Sequence, residues 1–266
     1  MNPFPVQAPG ISIISDYGYG SSYLASLRAV LHRSFSPVWL EDVAHHLRLG
    51  DVKHAAYLYN TTVKHYPENT IHLIAVDCSP IKYTHICVIQ QHNQWMIAYK
   101  NELLSHLQLH ADARYAEWPV NRFSFHPTFS ELSLFPEIIG FILANSIEFS
   151  PMPEIASSVN SERLMGNMLR GKVVHVDAAE NIISDITLDE FTHAHETNGL
   201  GKFMILYRRK EKINRILHHY DDLQTGESLA FFNSSGYLEI SQNMGNASSL
   251  LGLKTGDTVI IEFYDK

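Results

Sequence analysis

Amide and hydroxyl side chains crowd one stretch near the end of the chain, FFNSSGYLEISQNMGNASSLLGLKTGD from Phe231 to Asp257. There Asn233, Ser234, Ser235, Asn243 and Asn246 surround a glycine turn and a short apolar strand, Tyr237 to Ile240. Asn and Ser donate and accept hydrogen bonds without carrying charge, which suits the edges of a neutral heterocycle and the polar ends of an amino acid. Two carboxylates stand in the first third of the chain, each at the end of an apolar run. Asp16 follows Ile11 to Ser15 and opens the turn Asp16-Tyr17-Gly18-Tyr19-Gly20, and Asp77 follows Ile71 to Val76. Together these residues point to a small-ligand site.

The elements that must position them alternate in type. Ile11 to Ser15 reads as a strand, and Tyr23 to His32 as a helix with Leu24, Leu27, Val30 and Leu31 at helical spacing. The turn between them lies at the carboxyl end of the strand, where open α/β sheets place their ligands. Val52 to Tyr66 is a second helix stopped by Pro67-Glu68-Asn69, and Ile71 to Val76 a buried strand. Thr84 to Gln90 and Trp95 to Tyr99 form a hairpin, and Leu132 to Ala144 is apolar enough for a buried helix. From Asn145 to Asn160 the composition shifts to prolines and serines. Beyond it the chain reads as strands: Gly171 to Val176, Asn181 to Ile186, Phe203 to Tyr207, Ser228 to Phe232, Tyr237 to Gln242 and Thr258 to Phe263. The expected organisation is an α/β N-terminal domain over 1–150, a linker over 151–165 and a mostly β C-terminal barrel domain over 166–266.

Bulk properties narrow the function. The chain has 266 residues, 45% of them hydrophobic, so it buries a sizeable core. A formal charge of −8 with no long Lys/Arg run argues against a nucleic-acid partner. No apolar run is long enough to cross a bilayer, and Met1 to Gly10 lacks the features of a secretory signal, so a soluble cytoplasmic protein with no membrane partner is expected. Cys78 and Cys87, the only two cysteines, suit neither a disulfide framework nor a zinc knuckle. Sixteen histidines include the clusters His45-His46, His193 with His195, and His218-His219 before Asp221 and Asp222. None has the converging offsets of a zinc site, and no metal or cofactor is expected.

Four segments, ISIISDYGYGSSYLASLRAVL, GDVKHAAYLYNTTVKHYPENTIHLIAVD, HVDAAENIISDI and NSSGYLEISQNMGNASSLLGLKTGD, occur in this order over nearly the whole chain. Together they resemble the S-adenosylmethionine hydroxide adenosyltransferase family, relatives of the fluorinase and chlorinase. The resemblance implies a homotrimer with S-adenosylmethionine held between domains of neighbouring subunits. It implies that Asp16 holds the ribose hydroxyls, for which a carboxylate is apt because it accepts both cis-hydroxyl protons. It implies contacts from Asp177 and Asn181 to the methionine amine and the adenine edge, and from Ser234, flanked by Asn233 and Ser235, to the methionyl end. Asn101 matches the Asn of a family Asp-Asn-Gly turn, with Lys100 and Glu102 replacing its neighbours.

The implied reaction is substitution at ribose C5′, sulfur leaving as neutral methionine while water attacks from the opposite side. The substrate carries its own leaving group, so the protein must align and desolvate the nucleophile and take a proton from water. The family assigns that task to an Asp, an Arg and a His. Here Asp77 matches the Asp, whereas Thr84 and Ser130 occupy the Arg and His positions. Lys82, His85 and His126 lie near the altered positions and are candidates for tuning Asp77. Halide-using members place a Tyr where Asp77 stands, and a fixed carboxylate there repels halide. The expected activity is thus S-adenosylmethionine hydrolysis to adenosine and L-methionine. The alternatives are a catalytically silent S-adenosylmethionine or adenosine binder, and the same displacement with another small nucleophile. Read without the family, Asp16 is an ordinary turn residue, Asp77 an exposed strand-end carboxylate, and Asn181 and Ser234 turn or cap residues.

Overall fold

The computed structural model describes residues 9–153, 163–207 and 211–265, so most of the linker expected over 151–165 lies outside the described residues. The chain forms two compact units, Met1–Ala156 and Ser157–Lys266.

In the first unit, β1 (Gly10–Ser15), β2 (Trp39–Ala44), β3 (Thr70–Ala75), β4 (His85–Gln91), β5 (Gln94–Tyr99), β6 (Arg114–Pro119) and β7 (Ser150–Pro151) build one sheet in the order β2-β1-β3-β5-β4-β6-β7. The first four strands in that order run parallel, and the remaining pairings are antiparallel. Helices α1 (Ser22–Phe35), α2 (Val52–Thr62) and α3 (Glu131–Leu143) cover the faces. Alternate residues of β1 and β3 divide between two cores. Ile11, Ile13, Ile71 and Leu73 pack with Leu27 and Leu31 of α1 and Leu134, Phe135 and Ile138 of α3. Ile14 and Ile74 pack with Ala55, Ala56 and Tyr59 of α2 on the other side. Both faces are buried, which is why these strands read as continuous apolar runs. Ser21 caps α1 by accepting from the Tyr23 N–H, and Asp51 caps α2 by accepting from the His54 N–H.

The hairpin between β4 and β5 turns on His92 and Asn93, both with positive φ, as a two-residue type I′ connection requires. Strands β2 and β6 fall outside the elements expected from the sequence. Their residues, WLEDVA and RYAEWP, mix polar and apolar types because these strands are less buried than the sheet centre.

His72 sits inside this unit with 2% of its surface exposed. Gln94 donates its amide to the Tyr66 and Pro67 carbonyls, so its own oxygen faces His72 Nε2 at 3.0 Å. That fixes the proton on Nε2 and leaves Nδ1 to accept from Ser12 Oγ at 2.7 Å. Burial lowers the His72 pKa from 6.5 to about 4. The folded form thus resists a proton that the unfolded chain takes up below 6.5, and stability is lost as pH falls from 6.5 towards 4. The full difference corresponds to about 3 kcal/mol. Denaturant titrations at about pH 7 and about pH 4.5 are expected to show this loss, and His72→Gln is expected to flatten it.

The second unit is mostly β, as expected. Its strands are β8 (Leu164–Met165), β9 (Met168–Val176), β10 (Ile182–Thr187), β11 (Lys202–Tyr207), β12 (Glu211–Ile213), β13 (Ser228–Phe232), β14 (Tyr237–Gln242) and β15 (Thr258–Tyr264). They pair in the order β12-β11-β15-β9-β10-β14-β13, with β8 added beside β9. The barrel takes the form of a curled half-barrel sheet. Its edges β12 and β13 make no ladder, although the Leu217 N–H donates to the Ala230 carbonyl and draws the chain after β12 back onto β13. Helices α4 (Leu188–Asn198) and α5 (Ala247–Leu251) complete the unit. Helix α4 starts with a capping box between Thr187 and Glu190.

Candidate functional site

Parallel strands end on a common edge, and four of them share it in the first unit: β2, β1, β3 and β5. His45, Asp16, Asp77 and Asn101 follow those strands directly or within two residues. This is the carboxyl edge on which α/β sheets hold ligands.

Asp16 and Asp77 are drawn together. Asp16 Oδ2 accepts from the Gly50 N–H at 2.9 Å and from the Asp77 N–H at 3.1 Å. Asp77 adopts φ +52°, a left-handed conformation that Asp tolerates better than most L residues. Its carboxylate is three-quarters buried, and Oδ2 accepts from Lys82 Nζ at 2.8 Å and from the Tyr83 hydroxyl. The hydrogen bond to Asp77 is the main cause holding the Lys82 pKa above its ordinary value, with Tyr83 second. Burial, then the bond to Asp77, raises the Tyr83 pKa. Of the three groups suggested as tuning Asp77, Lys82 reaches it. His85 instead pairs with Thr84 Oγ1 at 3.0 Å, and His126 with Thr128 Oγ1 at 2.8 Å.

Behind this pair lies a set of groups that sequence inspection missed. Glu131, at the start of α3, is 4% exposed. Its Oε1 accepts from the Tyr17 hydroxyl at 2.6 Å and its Oε2 from Ser130 Oγ at 2.7 Å, while Ser130 meets the Tyr99 hydroxyl at 2.6 Å. Cys78 stands within electrostatic reach of Glu131, Asp16 and Asp77, and burial followed by these carboxylates drives its pKa up. The Tyr17 pKa is likewise raised, first by burial and then by Cys78 and Glu131. Ser130 therefore does not reproduce a histidine's chemistry; it hands a hydrogen bond to a buried carboxylate. An acidic residue at a helix start is ordinary, which is why Glu131 carried no signal in the sequence.

Beside Asp16, the buried Ser15 Oγ meets His45 Nδ1 at 2.7 Å, and the Gly18 N–H donates to the His45 carbonyl at 2.5 Å. His45 Nε2 lies 3.1 Å from Asp42 Oδ1, off the line of a good hydrogen bond, and Asp42 in turn pairs with Arg28. Burial lowers the His45 pKa. Asn101 is engaged in the fold: its Oδ1 caps the turn that follows by accepting from the Leu103 N–H at 2.9 Å, and its Nδ2 donates to the Val76 carbonyl at 3.3 Å.

In the second unit Asp177 and Asn181 are joined. Asp177 Oδ1 accepts from the Ala179 and Asn181 N–H groups at 2.9 and 2.8 Å, and its Oδ2 accepts from Asn181 Nδ2 at 2.9 Å. Asn181 keeps its amide oxygen as an acceptor for another group. Asn233 Oδ1 accepts from the Ser235 and Tyr237 N–H groups, and its Nδ2 donates to Glu239 Oε2 at 3.2 Å. Glu239 is 6% exposed and also accepts from the Tyr220 hydroxyl at 2.6 Å and Ser241 Oγ at 3.1 Å. Burial and then Glu239 raise the Tyr220 pKa, to which Asp177 adds a smaller part. A carboxylate within the apolar run YLEIS was the available signal for Glu239. Ser234 is exposed at the turn. Asn243 and Asn246 lie apart from this cluster, donating to the Leu223 carbonyl at 2.7 Å and Glu180 Oε1 at 3.4 Å.

Among the described residues no group of three or more His, Cys, Asp or Glu is placed to hold a metal ion, and no helix is long and apolar enough to cross a membrane.

Comparison with known proteins gives a consistent answer. Residues 11–149 match the model of the SAM hydroxide adenosyltransferase N-terminal domain, and residues 171–260 that of its C-terminal domain. The (R)-S-adenosyl-L-methionine hydrolase of Methanocaldococcus jannaschii is 22% identical over 264 residues, covering 94% of this chain and 95% of that protein. The (R)-S-adenosyl-L-methionine hydrolase of Salinispora tropica is 24% identical over 258 residues, covering 94% and 96%. The fold is shared with an uncharacterized conserved protein from Thermotoga maritima, with a TM-score of 0.71 and 22% identity over 94% of this chain and 99% of that one. It is also shared with a conserved hypothetical protein from Thermus thermophilus, with a TM-score of 0.63 and 22% identity over 96% and 99%. Both halves of the chain match in order, and the chain belongs to the SAM hydroxide adenosyltransferase family.

Proposed function

We propose that this protein hydrolyses S-adenosylmethionine to adenosine and L-methionine, as its curated relatives are named for doing. The observation that carries the reading is the Asp77 carboxylate, fixed beside Asp16 by Lys82 and Tyr83 at the carboxyl edge of the sheet. In the step, a water oxygen forms a bond to ribose C5′ as the C5′–S bond breaks. The bonding pair leaves with sulfur, which becomes the neutral thioether of methionine. Asp77 takes the water's proton and later releases it to solvent, so the products are adenosine, methionine and one proton. Lys82 and Tyr83 hold the carboxylate in one orientation, supplying the alignment that Arg and His give in the family pattern.

In the same reading Asp16 holds the ribose diol, Asp177 the methionine amine, Asn181 the adenine edge, and Ser234 with Asn233 and Ser235 the methionyl end. Asn101 acts by shaping the edge after β5. No resident cofactor takes part. The functional form is the homotrimer that the resemblance implies, which light scattering on the purified protein tests. Incubation with S-adenosylmethionine, followed by chromatography of adenosine against the enzyme-free background, tests the activity. Thr84 and Ser130, in place of the expected Arg and His, favour one rival, a silent binder. That rival gives a measurable affinity for S-adenosylmethionine with adenosine release no faster than background.

A further inference from the structure

We infer that Glu131 is a specificity-determining residue that makes this site prefer a sulfonium ligand over the matching neutral thioether; the inference rests on the reading proposed above. Both Glu131 oxygens accept hydrogen bonds, one from Tyr17 and one from Ser130. The donors are neutral, two hydroxyls and the buried Cys78 thiol, and among the described residues no ion pair reaches Glu131. Asp77 differs, because Lys82 lies 2.8 Å from it and offsets its charge. Asp16 is held by backbone N–H groups. Among the described residues, Asp16 on the edge and the nearly sealed Glu131 at the start of α3 are thus two carboxylates with no cation paired to them.

A charge in such surroundings is weakly screened, and Glu131 is tied to the turn that opens on Asp16, because Tyr17, the next residue, donates to it at 2.6 Å. A ligand bringing a positive sulfur there gains energy that a neutral thioether of the same shape does not. The gain is made in the bound substrate and given up as sulfur loses its charge in the transition state, so Glu131 contributes to binding more than to turnover. It also favours departure of the neutral product.

The test compares dissociation constants for S-adenosylmethionine and for the thioether S-adenosylhomocysteine, by calorimetry, in the wild type, Glu131→Gln and Glu131→Asp. The expected wild-type preference for the sulfonium is on the order of tenfold. Glu131→Gln is expected to reduce it to about twofold or less, with the thioether affinity little changed, and Glu131→Asp to keep it. In turnover, Glu131→Gln is expected to raise KM with kcat unchanged or higher. A preference that survives in Glu131→Gln, or an equal loss of both ligands, overturns the inference. Should Glu131→Gln not fold, the combined variant Tyr17→Phe, Tyr99→Phe, Ser130→Ala and Glu131→Leu removes the hydroxyls and the carboxylate together, which costs less than stranding one partner. It is read in the same way. A wild-type preference below about twofold overturns the inference without any variant. Wild-type protein that binds neither compound refutes the proposed function itself.

Discussion

Replacing Asp77 with Asn is expected to lower adenosine release by at least about 100-fold, the usual contribution of a positioned general base. Asn is nearly the same size, and its amide oxygen still accepts from Lys82 and Tyr83, so the turn is retained. What it lacks is the ability to take a proton from water. Because the Asp77 N–H that bonds Asp16 belongs to the main chain, the substitution leaves that contact in place. Affinity for adenosine is therefore expected to change less than about threefold, a margin set by the absence of a lost contact. Single-turnover kinetics with a parallel adenosine titration separates the two effects. Release in Asp77→Asn at the wild-type rate removes Asp77 from the mechanism and moves the search for a proton acceptor to Glu131.

Asp16→Asn is expected to act on binding instead. In the native protein Oδ2 is committed to the Gly50 and Asp77 N–H groups, which leaves Oδ1 for the ribose. An Asn amide oxygen satisfies those two backbone donors only by turning its NH2 group to the ribose, where an acceptor is needed. The two hydroxyls then lose their charged acceptor and must turn to accept from a neutral NH2 group. The expected cost is about 2–3 kcal/mol, or about 30- to 150-fold in Kd for both adenosine and S-adenosylmethionine. The thermal midpoint is expected to stay near that of the wild type, since both backbone contacts survive. A large fall in stability with unchanged affinity identifies Asp16 as a turn residue and nothing more.

Both substitutions fall on residues that are legible in the sequence. Asp16 and Asp77 were visible because their signals are local: each closes an apolar run, and a strand end is where a sheet offers side chains to a ligand. The same local logic located α1, α2, α3 and the β4–β5 hairpin to within a few residues. Helix α4 escaped because LDEFTHAHETN buries only Ala194 and shows little apolar period, although its Thr187 and Glu190 cap was written in the sequence. Asn101 matched a family position, but its side chain proved to be spent on Leu103 and Val76, contacts that a motif match does not reveal.

What the sequence determined by itself is the family, the alternating α/β order followed by strands, and the two carboxylates at neighbouring strand ends, all carried by patterns that run continuously along the chain. What only the tertiary structure decided is the company each carboxylate keeps. Lys82 and Tyr83 offset the charge of Asp77, while Glu131 receives hydroxyls from Tyr17, 114 positions away, and from its neighbour Ser130. The reason is physical: burial and hydrogen-bond geometry depend on which distant segments the sheet brings to one edge, and residue spacing along the chain does not encode that.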